Sequence, residues 1–241
     1  MNEHLSSASL KSLAKGQLLG KYGTVVAAYA IHMGCILFTS FMVSMFIDTA
    51  TLIGNIIYLL VSVLLSLFGG LFVYGEAYIY LKIACNQPVT VSDLFCGFGS
   101  NAEKIARVQI VFALVAVICS LPNLMTPMLI QHPENPYLML TYVILMIITT
   151  TVNVIFSLTF AASFYLMHDF PNYTPKEILM QSYKIMKGNR GRLFYIELSF
   201  IPLLLLGFCS CCVTYLWILP YMEAVQANFY LDLIKKRNRN S

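Results

Sequence analysis

The sequence predicts an all-α fold: a polytopic membrane protein of six transmembrane helices, laid out as three two-helix repeats with cytoplasmic interfacial amphipathic helices. Three observations carry this. The residues are 59% hydrophobic and only 11% charged, with a mean hydropathy of +0.74, whereas soluble domains carry about 25% charge. Division into six apolar spans puts all 15 Lys and Arg residues on one side of the membrane. Cationic loops resist translocation, so that side is cytoplasmic and holds both termini. Finally, one unit recurs: an amphipathic helix, a Gly-containing turn, and two spans closing on Ile79-Tyr80-Leu81, Phe164-Tyr165-Leu166 and Phe229-Tyr230-Leu231. The units cover about 5–84, 90–168 and 174–236 of a single transmembrane domain, 1–241. Their Gly turns align at Lys15-Gly16, Phe98-Gly99 and Lys187-Gly188.

Each element has a local reason. The N-terminal helix sets Leu10, Leu13 and Leu18 against Lys11, Lys15 and Lys21. No short apolar core with a small-residue cleavage site precedes it, so the first span is expected to direct insertion. That span runs from Tyr22 to Ile47 and the second from Leu52 to Ile83, each longer than the ~20 residues that cross a bilayer. Thr90 with Asp93, and Thr174 with Glu177, are capping boxes, and Pro175 suits a first helical position. Cytoplasmic helices therefore begin at Thr90, presenting Leu94, Phe95 and Phe98, and at Thr174, presenting Ile178, Leu179, Tyr183 and Met186.

The third span, Ala106 to Ile130, contains Pro122 and Pro127 and is expected to kink near its outer end. The fourth runs from Tyr137 to Met167. Leu193 to Leu231 is too long for one span and breaks at Gly207 to Cys212, giving two short ones. A five-span reading would export Lys235, Lys236, Arg237 and Arg239 against the charge rule.

Ionisable groups inside a bilayer are costly and are therefore candidates for function. Glu76 and Glu223 stand four and seven residues before the repeated Tyr, and Glu197 lies about one turn into the fifth span, so all three approach the same leaflet. They define a candidate acidic locus for a cation, a proton or an amine. The blander expectation pairs them with Lys82, Arg107 or Arg192 at the headgroups. His32, Asn55 and Asn153 lie deeper, where an unsatisfied polar group seeks a partner on another helix. His32 has no second ligand one turn away, so no metal site is predicted. Cys209, Cys211 and Cys212 fall in an external turn and read as small apolar residues.

No nucleophile, phosphate-cradling or metalloprotease motif occurs, so neither enzymatic activity nor a cofactor is expected. The expected partners are the lipid bilayer, anionic lipid headgroups at the cytoplasmic face, and a membrane-protein partner. The clustered cations give no support for nucleic acid. The composition therefore points to a non-enzymatic lipid- or protein-interacting scaffold. The alternative is a small transporter or channel with a pseudo-threefold central polar site.

The run Tyr165-Leu166, Asp169, Pro171, Ser182, Met186-Lys187-Gly188-Asn189, Arg192-Leu193-Phe194 and Leu198-Ser199-Phe200-Ile201 resembles the bacterial membrane family catalogued as domain of unknown function 975. Leu216-Trp217, Pro220-Tyr221, Ala227 to Asp232 and Ser92-Asp93-Leu94-Phe95 extend the likeness over the chain. Where that family often carries Gly-Trp after Ser-Phe-Ile, this sequence has Pro202-Leu203. The resemblance implies a bacterial cytoplasmic (cell) membrane location and no known activity.

Overall fold

The computed structural model describes residues 5–48, 51–99, 101–210 and 213–240, and these form helices and connecting turns without strands. The elements are α1 (Ser7–Leu18), α2 (Tyr22–Phe46), α3 (Leu52–Ala84), a 3₁₀ helix Val91–Phe98, α4 (Ala102–Ser120), a 3₁₀ turn Leu121–Met125, α5 (Thr126–Gln131) and α6 (Pro136–Phe160). There follow α7 (Ser163–Asp169), α8 (Pro175–Met186), α9 (Arg190–Leu198), α10 (Ile201–Cys209) and α11 (Tyr215–Asn240).

Five segments are long and apolar enough to cross a membrane: Tyr22–Phe46, Leu52–Ala84, Ala102–Gln131, Pro136–Asp169 and Arg190–Cys209. The sixth expected span corresponds to α11, whose 26 residues suffice in length. It is not among the five; Glu223, Gln226, Asn228 and Asp232 interrupt its apolar character.

Helix ends follow local chemistry. Ser6 caps α1 by accepting from the Ser9 N–H at 3.1 Å, and Thr174 caps α8 by accepting from Glu177 N–H at 3.3 Å. The Glu177 carboxylate returns to Thr174 N–H at 2.8 Å, completing that capping box. Both helices have 12 residues, and both end before a glycine at positive φ, Gly20 at 78° and Gly188 at 85°. The first turn is thus made by Gly20; Gly16, aligned with Gly188 on sequence, lies inside α1. From Thr90 the expected α-helix is instead an eight-residue 3₁₀ helix, held by Asp93 accepting from Thr90 N–H at 2.9 Å. On α8 the buried face is Ile178, Ser182, Ile185 and Met186, while Tyr183 is exposed.

The proline kinks arise as expected. Pro127 has no N–H for the carbonyl of Asn123, which accepts instead from Thr126 N–H in the 3₁₀ turn and from Asn55 Nδ2 of α3 at 3.3 Å. The fourth span also breaks, between α6 and α7, where Ser182 Oγ donates to the Thr159 carbonyl at 3.3 Å and competes with the helix ladder.

The core sits at the Lys/Arg-rich end. Leu10, Ala14 and Leu18 of α1 pack into it with Ile79, Tyr80 and Ile83 of α3, together with Leu166, Ile178 and Ala224. Two backbone approaches seat the 3₁₀ helix against α3: a Cβ on Gly75 would lie 1.9 Å from the Leu94 carbonyl oxygen, and one on Gly97 2.3 Å from that of Leu71. Phe95 and Phe98 close over Phe72 with ring centroids 6.0 and 5.0 Å away. Toward the opposite end the spans expose apolar side chains, among them Phe38, Phe46, Ile53, Leu60, Ile147 and Phe208.

Candidate functional site

The helices converge on one buried polar group. His32, near the middle of α2, is 4% exposed and stacks on Phe72 of α3 at 5.3 Å. Its Nδ1 lies 2.9 Å from Glu76 Oε1, one turn further along α3, with the ring turned off the hydrogen-bond line. Nε2 is buried without a partner. In a medium of low dielectric an imidazole and a carboxylate this close are strongly coupled, and each unmade hydrogen bond is expensive.

Around this pair stand other polar groups. Glu223 of α11 lies within electrostatic range of Glu76 and of Glu197, and both Glu76 and Glu223 act on Tyr29, Tyr80 and Tyr165. The three tyrosines of the recurring signature are all in the core, Tyr80 at 1%, Tyr165 at 3% and Tyr230 at 2% exposure. Tyr165 and Tyr230 stack at 5.2 Å, and Tyr230 Oη donates to Asp169 Oδ2 at 2.6 Å. Among the described residues no three His, Cys, Asp or Glu side chains converge in metal-binding geometry.

The cations that could have neutralised the acids are engaged elsewhere. Lys82 pairs with Asp93 at 2.8 Å, Arg107 with Glu103 at 2.5 Å and Arg192 with Asp232 at 2.8 Å. None of these pairs involves Glu76, Glu197 or Glu223. The hydrogen bonds from Lys82 and from Thr90 N–H outweigh the burial of Asp93 and hold its carboxyl below the usual range. Asn153 does not join the cluster; it lies exposed on α6. Cys209 ends α10 and is exposed, while Cys211 and Cys212 lie outside the described residues.

A cavity of about 590 Å³ runs between α2 and α3 beside this pair, lined by polar His32, Thr39, Ser62 and Gln109 and by apolar side chains such as Phe72. A second, of about 260 Å³, is ringed by Lys184, Lys187, Lys236 and Arg237 with Asn189. Sequence reasoning finds neither. The tyrosines carry a signal in their repetition, but the joining of His32 to Glu76 across two helices leaves none.

An all-helical protein with five membrane-length apolar segments and an imidazole–carboxylate pair in its packed end is the class these features define. The chain belongs to the family described as protein of unknown function (DUF975), whose model matches residues 1–238. No curated protein and no solved structure matches it.

Proposed function

We propose that this is a six-span protein of the bacterial cytoplasmic membrane, with both termini cytoplasmic, that acts as a non-enzymatic lipid-interacting scaffold. α11 is the sixth span, buried by its neighbours and so able to carry polar residues that a lipid-facing helix could not. Three repeated units, each led by an interfacial helix, organise it. Matching burial supports the repeat: Leu10, Leu94 and Ile178 are each 0% exposed, as are Ala14 and Ser182, and Ala77, Ala162 and Ala227 each stand three residues before the buried tyrosine. The middle unit uses eight residues where α1 and α8 use 12, one α-helical turn fewer.

The observation that carries the lipid reading is the pocket ringed by Lys184, Lys187, Lys236 and Arg237, at the packed end. Four cations from α8, its C-terminal turn and α11 face one small concavity, the chemistry that holds an anionic headgroup at a cytoplasmic surface. Protein drawn from bilayers of mixed phosphatidylcholine and phosphatidylglycerol is expected to retain phosphatidylglycerol in native mass spectrometry. Lys184→Gln/Lys236→Gln is expected to lose most of it, with Lys15→Gln as the control. Equal retention by the double variant and the parent would overturn the reading.

A further inference from the structure

The cavity between α2 and α3 has walls and a floor of different chemistry. Along α2 it extends from His32 to Val43, about 17 Å at 1.5 Å per residue. Its walls include Ile36, Phe38, Phe68 and Val73, which are also exposed on the apolar outside, so the space opens sideways into the hydrocarbon. Several of its polar side chains are already satisfied. Thr39 Oγ1 donates to the Cys35 carbonyl at 2.5 Å and Ser62 Oγ to the Leu59 carbonyl at 2.7 Å, while Gln109 Nε2 donates to Ser66 Oγ at 3.2 Å. Thr39 and Ser62 thereby offer a ligand no hydroxyl hydrogen, only an acceptor oxygen.

The inner end differs. There His32 closes the cavity with Nε2 unpartnered, and Oε1 of Glu76 behind it is also buried without a hydrogen bond. Counted ten residues on from the first residues of α2, α4 and α9, His32 is matched by Phe112 and Phe200, of which Phe200 is 1% exposed. A ring of similar shape without nitrogen therefore suits the packing, and the imidazole is surplus to it. Glu223 lies within electrostatic range of Glu76, and neither has a Lys or Arg partner among the described residues. With the proton on Nδ1, beside Glu76, Nε2 carries the lone pair and is an acceptor.

We infer that this cavity binds one single-chain amphiphile with a protonated primary amine at its end, the alkyl chain lying between α2 and α3 and the amine meeting the His32–Glu76 pair. The amine donates where the imidazole accepts and brings a positive charge beside the Glu76 carboxylate. A carboxylate end group is refused on both counts, while an alcohol satisfies only the first. The inference rests on the lipid-interacting reading above but uses a different site.

The test takes the full chain in a neutral detergent and titrates dodecylamine, dodecanol and dodecanoate, reading bound ligand by native mass spectrometry and the shift in thermal unfolding. Dodecylamine is expected to bind most tightly and dodecanoate least. Gly69, on the cavity wall, has nothing within 4 Å of an added Cβ, so Gly69→Leu fills the space while favouring the helix. That variant is expected to bind dodecylamine at least roughly tenfold more weakly while unfolding like the parent without ligand. Glu76→Gln is expected to remove the preference of amine over alcohol. Unchanged binding in Gly69→Leu, or dodecanoate binding as well as dodecylamine, overturns the inference. Because phosphatidylglycerol retention is read separately at the Lys184 pocket, either idea can fail while the other stands.

Discussion

At the residue scale, single atoms decide how the segment after α3 is held. Gly75 and Gly97 let two backbones meet where any side chain would collide with a carbonyl, and backbone cannot step aside as a flexible side chain can. Gly75→Ala is therefore expected to destabilise the protein by about 1–3 kcal/mol. Thermal unfolding in detergent checks this, with Gly23→Ala, whose added Cβ meets nothing within 4 Å, as the comparison. The same scale explains why the pairing of His32 with Glu76 is hidden from the sequence. Each residue stands alone in its own helix, and only the crossing of α2 over α3 brings them to 2.9 Å. What the sequence does reveal is that a carboxylate four residues before a recurring tyrosine needs a partner. It suggests Lys82, which the structure gives to Asp93.

At the element scale, legibility follows the range of the forces involved. Starts fixed by a side chain three residues away, at Thr90 and Thr174, are readable, and so are kinks at Pro122 and Pro127, because the missing N–H is a property of the residue itself. The break between α6 and α7 is not readable, since it involves Ser182 from a distant helix. Nor is the 3₁₀ form of Val91–Phe98, which is seated through Gly75 and Gly97 against α3. Span three joins both kinds of cause: proline removes the α-helical donor to the Asn123 carbonyl, and Asn55 adds one from α3. Asn55→Leu keeps the volume but leaves the Asn123 carbonyl without that donor, a loss of about 1 kcal/mol for a hydrogen bond between membrane helices. The drop is measurable as a lower unfolding temperature, and Asn153→Leu on the exposed face of α6 is expected to change it little.

Over the whole molecule, the segregation of charge and the segregation of packing coincide. Lys and Arg gather at the end where α1, the Val91–Phe98 helix and α8 are embedded, and the same end holds nearly every fully buried side chain. Composition and cation placement made the helical, membrane-length character of the chain visible in advance; the unequal depth of packing along the spans was not, because hydropathy reports the wish to leave water and not which neighbour is met. Placing that end in the cytoplasm predicts that a cysteine added after Ser241, in a background with the natural cysteines replaced, resists an impermeant maleimide on intact cells and reacts after lysis. Labelling on intact cells would reverse the orientation.

The crowding of the spans at one end and their sparse mutual contact at the other give the protein two mechanical regimes. A thinner or thicker bilayer, or a change in lateral pressure, can be absorbed by tilting the loosely held outer segments, span three about the kinks at Pro122 and Pro127. The compact end would keep its shape through such adjustments, like the handle of a fan whose ribs spread.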